Sequence, residues 1–273
     1  MSDAKTPDDP LQRERALSRW DNEGGEPVST LAETLPGVAH IPMPANGPAE
    51  IGARKTGLII VDEVNGFATV GAGYLAPPAP NAQVTRMVDE TDRLAKRFTG
   101  DRRPILAFLD THVPGKAEPP YPPHCEAGTG EENLVPELAW LEQDPNTTLV
   151  RKDCINGFVG SITADGSNRV VDWTNKNALE ELLVVGICTD ICVMDFVLTM
   201  LSARNHGLMP TLKDILVYDA GCSTYDLPRA AAEKIGLPAS AAHPQDVAHY
   251  MGLYFMHSRG ARLVDQVILS AAR

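Results

Sequence analysis

Leu182-Leu183-Val184-Val185-Gly186-Ile187-Cys188-Thr189-Asp190-Ile191-Cys192-Val193 reads as a short buried strand that meets a glycine and turns into a helix. The residues that follow, Val193 to Leu201, form a run long and apolar enough for a buried helix. Cys192 therefore falls where a strand becomes a helix. A thiolate there gains from the positive end of the helix, and nearby amide N–H groups are free to hold an oxyanion. That makes Cys192 a candidate nucleophile. The same position suits a small buried hydrophobe at the start of a core helix, the usual fate of a free cysteine. This segment alone leaves both readings open.

Two further segments bear on the choice. Thr56-Gly57-Leu58-Ile59-Ile60-Val61-Asp62 is an apolar strand ending in a carboxylate, and Thr147-Thr148-Leu149-Val150-Arg151-Lys152 is a short strand with a lysine at its exit. Asp62 alone reads as a turn or helix cap, and Lys152 alone as a solvated charge. Yet parallel strands bring their carboxyl ends to a common edge, where α/β proteins put chemistry. The rest of the chain predicts such a sheet. Strands at 58–62, 104–110, 147–151, 181–186 and 213–219 alternate with helices near 81–98, 134–142, 167–178 and 192–206 and a helical region from 241. Ser167 is placed to cap the third helix. The expected class is α/β: three layers, a doubly wound and mostly parallel sheet, helices on both faces.

Composition narrows the function. The 273 residues and 43% hydrophobic content suffice for a full core, and a net charge of −12 argues against nucleic acid or an anionic membrane as the main partner. No apolar run is long enough to span a bilayer, and residues 1–10 have no apolar signal core. Five cysteines is an odd number, which suits a reduced, cytoplasmic protein better than a disulfide framework. Residues 1–55 are polar and Pro/Gly-rich, with one expected helix at Gln12 to Asn22, and read as an N-terminal extension to a domain at 56–273. The extension is expected to wrap the surface or meet a neighbouring subunit, so a homo-oligomer is expected. Gly71-Ala72-Gly73 lacks the context of a dinucleotide fingerprint and reads as a turn.

Asp62, Lys152 and the Gly186–Val193 turn, in this order and spacing, resemble the cysteine hydrolases of the isochorismatase-like superfamily, and among them the nicotinamidases. The resemblance runs from about Thr56 to Leu269. Tyr121-Pro122-Pro123-His124-Cys125, followed by Gly128-Thr129, sharpens it, because that histidine marks the metal-binding members; these stretches look most like the plant-type branch. The resemblance implies an Asp62, Lys152, Cys192 triad that hydrolyses nicotinamide to nicotinate and ammonia through a thioester. It implies an oxyanion hole from the backbone N–H groups of Cys188 and Cys192, with a cis peptide between Ile187 and Cys188. Lys152 is expected to lower the cysteine pKa.

Metal binding is also legible in the residues. Leu106-Ala107-Phe108-Leu109-Asp110-Thr111-His112 is a strand running into an Asp-x-His pair, and residues two apart in an extended segment point the same way. Asp110 and His112 are thus placed to share one ion, with His124 returning from the Pro-rich loop. One carboxylate and two imidazoles suit zinc first, with iron(II) or manganese as alternatives. The resemblance implies metal roles at the same three positions and often a fourth ligand from the loop between them; Glu118 is the candidate here. Phe67, Tyr121 and Phe158 fall where nicotinamidases place aromatic walls. His206, His243, His249 and His257 read as surface or satisfied core histidines, and Cys154 and Cys222 as structural. Two rival readings stand beside this one: a cysteine hydrolase for another carboxamide (maleamate, ureidoacrylate or pyrazinamide-like), and a non-catalytic binding module of the same fold.

Overall fold

The apolar runs form the strands of one sheet. The structure, a computed structural model, describes residues 47–52, 54–116 and 118–269. Its strands are β1 (Gly47–Ile51), β2 (Thr56–Val61), β3 (Ile105–Asp110), β4 (Thr147–Lys152), β5 (Glu181–Ile187), β6 (Asp214–Ser223) and β7 (Arg262–Leu269). They pair in the order β1-β7-β6-β5-β2-β3-β4, and every pairing is parallel. β2, β3 and β5 are buried along their whole length, which explains why they read as continuous apolar runs and not as alternating ones.

Successive residues of each strand feed two separate cores. Leu58 and Ile60 face the layer built by α2 (Ala82–Gly100), through Val84, Met87, Leu94 and Phe98, while a short α1 (Asn65–Ala68) precedes it. Ile59 and Val61 face the opposite layer, with Val170 and Trp173 of α3 (Arg169–Lys176) and Phe196 and Met200 of α4 (Met194–His206). Beyond α5 (Arg229–Lys234), Leu253 and Met256 of α6 (Gln245–Ser258) join that second layer. This is a doubly wound α/β sheet.

The chain lays β3 and β4 on one side of β2, then returns to place β5 on its other side. Carboxyl-end loops therefore part between β2 and β5, and a crevice opens there.

Several local expectations need correcting. The segment near 134–142 is a 3-10 helix, Pro136–Gln143, and the turn before α4 is one π-helical turn, Thr189–Val193. α3 is capped by Asn168, whose side chain accepts from the N–H groups of Val170 and Val171; Ser167 instead donates to Asp165 inside the preceding turn. Part of the segment read as an extension, Gly47 to Ile51, is the edge strand β1. The expected helix at Gln12 to Asn22 lies outside the described residues.

Candidate active site and metal cluster

Four strand ends supply the chemistry. Asp62 follows β2, Asp110 ends β3, Lys152 ends β4, and Cys188 follows β5 at the entry to the π-helical turn that holds Cys192. Asp110 and Lys152 are register partners across β3 and β4, so their side chains leave the sheet side by side. Lys152 sits fully buried with its Nζ 2.8 Å from Asp62 Oδ2 and 2.9 Å from Asp110 Oδ1, and it donates to the Cys154 carbonyl at 2.9 Å. One ammonium thus bridges two buried carboxylates.

Asp62 holds a strained backbone conformation. Its φ of 54° lies in the left-handed region, which costs a non-glycine residue on the order of 1–3 kcal/mol and is usually kept for function. Its carboxylate is buried against the Lys152 ammonium at 2.8 Å and faces the Cys192 thiol. Burial pushes its carboxyl up to about 6, against the pull of the Lys152 charge. Burial likewise holds the Cys192 thiol well above its ordinary value, with Lys152 drawing it partly back down. Lys152 thus acts in the expected direction, and burial outweighs it. The arrangement is that of a thiol facing a carboxylate able to accept its proton.

The turn that holds Cys192 is tied by its own backbone. The Cys188 carbonyl accepts from the N–H groups of both Ile191 and Val193, and the Ile187–Cys188 peptide is cis. Single π turns of this kind recur at functional sites. At Gly186 the φ is 131°, and a Cβ there would collide with the Val61 backbone, so glycine allows β5 to lie against β2 just before the turn.

Beside the triad lies a second constellation. Asp110 Oδ2 is 2.9 Å from His112 Nε2 and 3.2 Å from His124 Nε2. Glu118 Oε2 is 3.5 Å and 3.7 Å from the same two nitrogens, while its other oxygen accepts from the Ile155 N–H. Ligand atoms held roughly 2.0–2.2 Å from one ion are spaced about 3.0–3.5 Å apart, so this donor set fits a divalent cation. His124 Nδ1 donates to the Pro122 carbonyl at 2.7 Å, which turns Nε2 inward. The His124 loop is laced to the strand end by His112 N–H to Cys125 carbonyl and Ala127 N–H to His112 carbonyl bonds. Despite burial, Lys152 and the two histidines hold the Asp110 carboxyl well below the usual range, so it is an anion of the kind a metal ion takes.

Both constellations open on one cavity of about 500 Å³, part of it open to solvent. Phe67 and Tyr121 line it with Asp110, Glu118, His124, Cys188 and Cys192. The third expected aromatic wall is absent: Phe158 does not line the cavity and packs instead against the core layer of α3 and α4. Asn156 accepts from the Phe158 and Val159 N–H groups and donates to Thr199 of α4, which ties this loop to that layer. Tyr225, Leu75, Ile155 and Ile191 are walls that sequence reasoning missed. They lie in loops and turns with no periodicity to mark them. His243 and His249 are satisfied, on Asp190 and Asp219 respectively, and all five cysteines are free. No helix among the described residues is long and apolar enough to cross a membrane.

Residues 56–247 match the isochorismatase domain family. Nicotinamidase 1 of Arabidopsis thaliana is 52% identical over 213 residues, which cover 78% of this chain and 86% of that protein. The crystal structure of nicotinamidase PncA from Bacillus subtilis superposes with a TM-score of 0.58 at 21% identity, covering 77% of this chain and 100% of that one. That of the pyrazinamidase of Pyrococcus horikoshii in complex with zinc gives 0.54 at 18%, covering 77% and 99%. At such identities the structural likenesses speak for the fold alone.

Proposed function

The chain belongs to the isochorismatase family, and within it we infer an amidohydrolase that converts nicotinamide to nicotinate and ammonia through a thioester on Cys192. One observation carries the substrate class. The cavity walls are apolar and aromatic, their polar members Asp110, Glu118 and His124 belong to the cluster that would hold the metal, and among the described residues no lysine or arginine lines them. An acyclic acid amide such as maleamate carries a carboxylate for which these walls offer no lysine or arginine, whereas the aromatic faces of Phe67, Tyr121 and Tyr225 suit a flat ring. A neutral ring amide brings no such charge.

The chemistry follows from the chain's own groups. Asp62 takes the Cys192 proton as Sγ attacks the amide carbon. The buried Lys152 ammonium holds Asp62 and Asp110 close by screening their mutual repulsion, and it offsets the negative charge that develops. Backbone N–H groups of Cys188 and Cys192 are assigned to the oxyanion. The carbon–nitrogen bond breaks as Asp62 returns the proton, and ammonia leaves a thioester behind. Water then attacks, giving its proton to Asp62, and the acid departs as the thiol is restored. Phe67, Tyr121 and Tyr225 hold the ring. Asp110, His112, His124 and Glu118 would hold the metal, zinc in our reading. When bound, it supplies a Lewis-acid anchor that orients the substrate ring. A nicotinate product assigns the enzyme to pyridine nucleotide salvage.

Ammonia release from nicotinamide, pyrazinamide and maleamate, before and after chelation, tests the reading. Ring amides should be hydrolysed and maleamate refused. Chelation should abolish turnover, and zinc should restore it. Full activity in protein shown by elemental analysis to be metal-free would reduce the cluster to loop structure. Hydrolysis of maleamate alone would move the enzyme to the acyclic branch.

A further inference from the structure

His243 lies 53 residues from Asp190 of the nucleophile turn in sequence and is bound to it in space. Its Nε2 is 2.8 Å from Asp190 Oδ2, and its Nδ1 is 2.9 Å from the Tyr225 carbonyl oxygen. Both partners are acceptors only. A neutral imidazole carries one N–H and satisfies one of them; the imidazolium satisfies both. The ring of Tyr225 also stacks on His243, with centroids 3.8 Å apart and planes 12° apart, an arrangement that favours a cation. Tyr225 lines the cavity, and Asp190 stands between Cys188 and Cys192. Asp190 is further fixed by the Thr224 hydroxyl at 2.7 Å.

We propose that His243, held as an imidazolium between Asp190 and Tyr225, is a positioning residue that locks the Tyr225 wall to the nucleophile turn and so sets the affinity for the substrate ring. Resting on the nicotinamidase reading, this adds to it a residue outside the triad and the metal cluster. The charged groups facing His243 are Asp190 from the turn and Asp226 beside Tyr225, with Asp246 of α6 behind Asp226. All are acids. Burial disfavours the imidazolium, but Asp190, the Tyr225 carbonyl and Asp226 outweigh it and raise the His243 pKa above its ordinary 6.5. A raised pKa means that the locked state is complete at low pH and is lost as pH rises through the folded value. Substrate KM should accordingly increase on the alkaline side.

His243→Phe keeps a ring against Tyr225 and removes both hydrogen bonds. Expected are a KM for nicotinamide about tenfold higher at neutral pH, kcat within about threefold of wild type, and a KM that no longer rises with pH. Titrations of Asp62 and Cys192 persist in both proteins, so the difference between the two profiles isolates His243. Wild-type KM and an unchanged profile in His243→Phe would overturn the proposal. Should that variant not fold, nitrogen-15 NMR of the wild-type imidazole decides: both ring nitrogens protonated at pH 7 support the lock, and a neutral tautomer refutes it. If the wild-type protein releases no ammonia from nicotinamide, the functional reading fails separately.

Discussion

Lys152 shows how much one side chain is asked to balance. It is fully buried, and its ammonium is the common partner of Asp62 and Asp110. Burial disfavours its charge, but the carboxylates of Asp62 and Asp110 hold its pKa well above the usual lysine value. Removing that charge would leave two buried carboxylates facing one another, and Asp62 would hold a proton when it should accept one. Lys152→Met should therefore lower kcat by at least about a hundredfold and cost about 3–5 kcal/mol of stability. Lys152→Arg should lose less, because charge survives, yet fall short of wild type, since a planar fork does not replace a compact ammonium. Steady-state kinetics with thermal unfolding of both variants measures this, and full activity in Lys152→Met would remove the lysine from the mechanism. At this scale the sequence is informative wherever a residue ends a strand. Asp62, Asp110 and Lys152 are legible because apolar runs stop at them. Phe158 is not, because it lies in a loop that Asn156 ties to α4, and Tyr225 is hidden because it lies in a loop.

Elements bring these residues into register, and the tightest fit is between α6 and the nucleophile turn. At Gly252 an added Cβ would lie 2.8 Å from Asp190 Cα and 2.9 Å from its backbone nitrogen. The obstacle is backbone, which cannot rotate away as a side chain can. His249, one turn earlier on α6, meets the Thr189 hydroxyl at 2.7 Å and Asp219 at 2.9 Å, so the helix is also pinned to the turn and to β6 by polar contacts. Gly252→Val should push the turn off its position. We expect about 1–3 kcal/mol of destabilisation and a fall in kcat of at least about tenfold, larger than the stability loss alone explains at a temperature where the variant is folded. Wild-type kcat in the folded variant would mean that the turn holds its shape without α6. The sequence signals a closing helix in this region but not its contact, because a glycine inside a helical pattern does not announce what approaches it. The same limit applies to the strands: continuous runs such as Ile105 to Asp110 are legible, whereas Arg262 to Leu269 mixes exposed and buried positions and escapes notice.

At the scale of the molecule, the sheet extends beyond what the family comparison covers. The family match spans residues 56–247, yet β7 lies beyond it and β1 before it, and the two pair with one another. Ile51 is fully buried and Ala49 is 2% exposed, both in the core that also holds Val264 and Val267 of β7. The polar, Pro/Gly-rich composition of residues 1–55 conceals this strand, since only alternate positions in the second half of β1 are buried. A chain begun at Thr56 would keep every residue of the triad and the metal cluster but lose β1. It would uncover Val264 and Val267 and leave β7 as an unprotected edge, which invites pairing with other chains. Loss of one buried isoleucine alone costs about 2–5 kcal/mol, or roughly 5–15 °C in Tm for a domain of this size. The truncated protein should therefore unfold at least about 5 °C lower and aggregate sooner on heating, while its KM for nicotinamide at low temperature stays close to that of the full chain. A chain begun at Gly47 should recover the lost Tm if β1 is the cause. Equal melting of the 56-start and full-length proteins would show that the domain is complete without its first strand.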